Sequence, residues 1–95
     1  MYIQYAGFIV AATAHIYVFR VPDILIKTRE FTVKVRSAAF RPTALKFQDG
    51  PGICLGRLQQ ELGGETQTSP ANPHLCIEEQ DIREYLERRH PRKHV

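Results

Sequence analysis

Residues 2–19 contain no Asp, Glu, Lys or Arg. A run of that length approaches a membrane span, which needs about 20 apolar residues. Gln4, Thr13, His15 and three tyrosines (Tyr2, Tyr5, Tyr17) interrupt it, and no basic segment precedes it as a signal peptide would require. Its residues are instead β-branched and aromatic. Tyr2 to Val10 and His15 to Val21 read as strands, with the second ended by Pro22-Asp23. The run therefore reads as a pair of core strands, with residues 11–14 either turning or continuing the chain, so that one bent strand or a helix over 2–21 also stays open; a membrane role is not expected.

The clearest periodicity follows at Phe31 to Arg36. Phe31, Val33 and Val35 alternate with Thr32, Lys34 and Arg36, the pattern of a half-buried antiparallel strand with a basic outer face. Ser37 to Phe40 reads as one helical turn, and Ala44 to Gln48 as a short fourth strand with Leu45 and Phe47 inward and Lys46 outward. Asp49-Gly50-Pro51-Gly52 is a turn signal. Ile53 to Leu62 predicts a helix whose apolar face is Leu55, Leu58 and Leu62, closed by Gly63-Gly64. A polar loop spans 63–74, and Glu78 to Arg89 predicts a second helix with an Ile82, Tyr85, Leu86 stripe, stopped by Pro91.

Strands first and helices afterward predict an α+β fold: a small antiparallel sheet of about four strands, followed by two helices that cover one face. At 95 residues the chain is expected to form one domain over residues 1–90, with a basic tail at 91–95. Two cysteines cannot supply a multi-disulfide framework, and the expected location is a reducing cytoplasm.

Charge is segregated. Residues 20–46 carry seven Lys and Arg against Asp23 and Glu30; residues 53–87 carry seven acids against Arg57 and Arg83; Arg88, Arg89, Arg92 and Lys93 follow with no acid. The acids at Glu78, Glu79 and Asp81 and the bases at Arg88 and Arg89 suit the dipole of the second helix. Arg92 and Lys93 lie beyond that explanation.

No paired-carboxylate, triad or phosphate-loop pattern is present, so no enzymatic role and no cofactor are expected. Cys54 near a helix start has the placement of an activated thiol, but its neighbours Ile53 and Leu55 favour a small buried hydrophobe. Cys54, His74 and Cys76 with His90 or His94 are zinc-type ligands at spacings unlike ribbons or fingers, and no metal is expected.

Two functional readings remain. The first is a protein-interaction module, with self-association as a homodimer included. Its expected contacts are Ile24-Leu25-Ile26, three aliphatics inside an otherwise basic connection, and an exposed strand edge. The alternative is a nucleic-acid-binding domain using Arg20, Lys34, Arg36 and Lys46 on a basic sheet face, together with Arg92 and Lys93.

Overall fold

The structure is a computed structural model, and it describes residues 2–22, 27–41 and 44–89. Three strands form an antiparallel meander: β1 (Gln4–Val10), β2 (Ala14–Val21) and β3 (Arg29–Arg36). A helix α1 (Gly50–Gly63) and a loop then lead to β4 (His74–Cys76), which adds to β3 in parallel. The helix α2 (Glu79–Arg89) follows at once. Sheet order is β1-β2-β3-β4, so the expected small α+β fold is the one formed, with the sheet antiparallel except for the β3–β4 pair.

The uncharged N-terminal run is a hairpin, closed where the Ala11 amide donates to the Ala14 carbonyl at 2.8 Å. Among the described residues no helix is long and apolar enough to cross a membrane. Alternation then divides the side chains of β2 and β3 between two faces. Tyr17, Phe19, Val21, Phe31, Val33 and Val35 are buried under α1, while Lys34 and Arg36 point to solvent on the other side. Tyr17 pairs with Val33 and Phe19 with Phe31, so bulky residues stack across the ladder. Ile53, Cys54, Leu58 and Leu62 complete this core from α1, with Leu75 of β4 and, after it, Ile77 and Ile82.

Three local expectations are corrected. Residues 44–48 are not a strand. Leu45 makes one isolated bridge with Phe40, and Phe47–Asp49 is a 3-10 turn in which the Asp49 carboxylate accepts from the Lys46 amide at 3.0 Å. That local capping bond tightens the chain before a ladder can extend, and it turns Phe47 outward. The fourth strand is instead His74–Cys76, held where Thr32 donates its amide to Pro73 and Ile77 donates to Lys34. On α1 the buried stripe is Cys54, Leu58 and Leu62, one helical face at i, i+4 and i+8, and Leu55 lies off it. The helix also begins earlier than expected, because Pro51 suits a first-turn position and Gly50 lets the backbone pass closely over Tyr17.

Two acids anchor the loop that returns to β4. Glu65 Oε2 accepts from Arg29 Nη1 at 2.6 Å and from the Ala71 amide at 2.8 Å; Glu61 accepts from Arg57 and from the Asn72 amide. These bonds, the Arg29 bond first, hold the Glu65 carboxyl below its ordinary value near 4.5. At the far end, Tyr85 of α2 donates its hydroxyl to Asp49 Oδ1 at 3.3 Å, tying the second helix to the start of the first.

Two predictions follow from this packing. A Cβ at Gly50 would lie 2.0 Å from Tyr17 Oη, whereas one at Gly56 would meet nothing within 4 Å. Gly50→Ala should therefore cost about 1–3 kcal/mol by overpacking, while Gly56→Ala should raise stability by roughly 0.5–1 kcal/mol as an ordinary helix substitution. Urea unfolding of both variants checks this, and equal effects would contradict it. For Glu65 the folded pKa is depressed, so its stabilisation is present above the unfolded value and lost as pH falls through the folded one. The melting-temperature gap between wild type and Glu65→Gln should be open at neutral pH and close below pH 4.5. A gap that stays constant down to pH 3 would remove the Arg29–Glu65 link as its cause.

Candidate interaction surface

α1 packs on β2 and β3. β1 lies beyond that cover, at the edge of the sheet. Its helix-side residues by register are Tyr5, opposite Phe19, Phe8, opposite Tyr17, and Val10, opposite His15. The same positions on β2 are buried, yet Phe8 is 53% exposed and Val10 64%. On the opposite face Ile9 is 59% exposed beside Ile16. Tyr2 (68%) precedes the strand, and Phe47 (71%) projects from the 3-10 turn. Among the described residues no strand pairs with the outer edge of β1.

Phe8, Phe47 and the β2 residues between them form a continuous aromatic layer. Phe8 stacks on Tyr17 with ring centroids 5.4 Å apart, and His15 stacks on Phe40 at 4.6 Å and on Phe47 at 5.7 Å. A groove of about 370 Å³ opens here, lined by Phe8, Val10, His15, Tyr17, Phe47 and Pro51. His15 is its one imidazole, 8% exposed, and its Nδ1 is buried with no hydrogen-bond partner. Burial pushes the Tyr17 hydroxyl up to about 12, with Cys54 and Tyr5 adding to the shift, so it remains a neutral phenol at any ordinary pH. The surface is thus apolar, aromatic and uncharged.

The residues expected to contact nucleic acid are dispersed. Lys34 and Arg36 lie as expected on the face that the helices leave open, opposite Ile16 and Ala14. Arg20 shares that face but stands 3.7 Å from Glu30. Lys46 is exposed but precedes the 3-10 turn rather than belonging to the sheet. Arg92 and Lys93, and the expected partner contact Ile24-Leu25-Ile26, lie outside the described residues.

The thiols are separated. Cys54 is wholly buried in the core, where burial pushes its thiol up to about 12. Cys76 is exposed and pairs in register with Lys34 on the open face. The sheet therefore stands between Cys54 and the pair His74 and Cys76, and His74 is engaged with Thr32 Oγ1 at 2.9 Å. Among the described residues no group of three metal-ligating side chains converges.

Sequence reasoning expected an exposed strand edge but did not point to β1, because its aromatic and β-branched residues read as core. The signal available was the lack of any charge along Gln4–Val10, which is unusual for an edge strand. No family model, curated protein or solved structure matches the chain.

Alkylation distinguishes the two cysteines. In the folded protein, neutral iodoacetamide should modify Cys76 alone, and denaturation should add Cys54. Rapid native labelling of Cys54, read by mass spectrometry, would contradict its burial.

Proposed function

We propose that the chain is a protein-interaction module that presents β1 and the adjoining aromatic groove to a protein strand. One observation carries the reading: among the described residues, the exposed large hydrophobic side chains other than Leu55 gather on the uncharged edge strand, at Tyr2 just before it, and at Phe47. Scattered exposed hydrophobics are normal, but contiguous apolar patches of a few hundred Å² mark interaction sites. An open edge also offers unpaired backbone donors and acceptors, so an added strand gains ladder hydrogen bonds as well as apolar contact.

The contrast between the two sheet edges supports this reading. β4 is only three residues long, with exposed His74 and Cys76. Short, polar edges resist unwanted pairing. β1 has seven residues and no Lys, Arg, Glu, Asp or Pro. Its one irregularity is a bulge between Tyr5 and Gly7, with Gly7 at φ 129°, which leaves Gly7–Val10 regular.

Nucleic-acid binding is the second reading, favoured by Lys34 and Arg36 on the open face. Single-strand binders combine such charge with stacked aromatics. Among the strand residues sharing that face the ring on offer is the His74 imidazole, and it is engaged with Thr32 Oγ1.

Titration of the isotope-labelled chain with a soluble strand peptide (alternating Thr and Val, flanked by Lys) tests the proposal. Amide shifts should concentrate in Gln4–Val10 and at Phe47, and persist in high salt. A parallel titration with single-stranded and duplex oligonucleotides at low salt should leave Lys34 and Arg36 unshifted. Oligonucleotide shifts at those two residues, with none from the peptide, would exchange the first reading for the second.

A further inference from the structure

We infer that the strand seated on β1 is the β1 of a second copy of this chain, paired antiparallel across a two-fold axis at Ile9. The inference rests on the interaction reading above and names its partner. Its first support is area. Taking ~200 Å² for an aromatic side chain, the exposed portions of Tyr2, Tyr5, Phe8, Ile9, Val10 and Phe47 amount to on the order of 600 Å² of apolar surface. A stable interface buries roughly 800 Å² per partner, so a second copy supplies a surface of the same kind and of nearly the required size.

Self-complementarity is the second support. A two-fold interface brings one patch against itself, so a charge on the axis meets its own copy and an off-axis charge needs an opposite charge at the position it faces. β1 carries none. The regular segment after the bulge also fits a symmetric ladder. With the axis at Ile9, Ile9 meets the partner's Ile9, and Phe8 meets the partner's Val10. Parity is kept, because opposed residues in an antiparallel pair share a face. Phe8 and Val10 then extend the aromatic layer on the helix side, and Ile9 extends the apolar strip begun by Ile16. Two four-stranded sheets become one of eight strands, ended at both sides by the short β4.

Sedimentation equilibrium of the full chain across roughly 1–100 µM, a span within the affinities that interfaces of this size show, reads the outcome. Mass should rise from 10.9 kDa toward twice that value. Ile9→Lys places two ammonium groups opposite one another and should weaken the dimer at least about tenfold. Its circular dichroism and melting should stay near those of the wild-type monomer, since the side chain is already exposed. A covalent readout stands beside it: Ile9→Cys in a Cys76→Ser background should oxidise readily to a disulfide-linked dimer. Paired Cα atoms at ~4.5–5.5 Å lie within disulfide reach. A dimer that ignores Ile9→Lys and leaves Ile9→Cys unlinked overturns the proposal. So does a monomer throughout the range; if the strand peptide still shifts β1, only the second copy fails as occupant, and if it does not, the interaction reading fails with it.

Discussion

Phe19 and Phe31 face each other across β2 and β3, at 1% and 2% exposure, beneath a helix that has room for little else. Strands lie about 4.8 Å apart, and a helix with its side chains is about 10–12 Å across. One helix therefore shields about two strands. α1 lies on β2 and β3, and α2, which leaves directly from β4, packs beside α1 and adds Ile82 to the same core. Toward β1, α1 offers Pro51 at the rim of the groove lined by Phe8 and Val10, and both side chains stay largely exposed. The exposure of Phe8 and Val10 is a consequence of that geometry rather than of their own chemistry.

The overall dimensions fit this arithmetic. The chain measures 49 × 36 × 20 Å, a slab two layers thick, and its radius of gyration of 14.4 Å exceeds the ~13 Å usual for a domain of about 100 residues. Four strands side by side are wide for two short helices. Loop 64–73 is held down by Glu61 and Glu65, and the start of α1 by Tyr85 and Tyr17, so one end of the slab is well tied. At the other end β1 is attached through its ladder with β2 and through the Phe8 and Tyr5 rings against Tyr17 and Phe19.

How much of this was legible in the sequence depends on the range of the interaction. The Phe31–Arg36 alternation and both helices declare themselves locally, and each forms nearly where its pattern places it; the N-terminal run declares itself as β-rich, and its turn into a hairpin is found in the structure. β4 is three residues long, too short for a period, and exists because β3 offers an edge more than 40 residues upstream. Residues 44–48 show the opposite failure. Leu45, Lys46 and Phe47 alternate like a strand, but a capping bond from Asp49 decides the backbone before any neighbour can pair with it. The identity of the edge strand was hidden for a different reason. Phe8 on β1 and Tyr17 on β2 are chemically alike, and only the position of α1 makes one buried and the other exposed.

The two sheet faces also separate what electrostatics and apolar burial can each contribute. Lys34 and Arg36 stand in open solvent, where unit charges interact by about 1 kcal/mol at 4 Å in water and salt screens them beyond ~8 Å. Arg20, the one Arg of β2, lies further along the ladder and is opposed by Glu30. Along β1, by contrast, apolar area left in water is worth roughly 25 cal/mol per Å² once covered, and backbone groups can be satisfied at the same time. Any occupant of β1 would also roof the groove in which His15 Nδ1 stands unpaired. Exposed apolar side chains, an open strand edge and that orphaned nitrogen all fall on one side of the molecule, the side that the proposed pairing would cover.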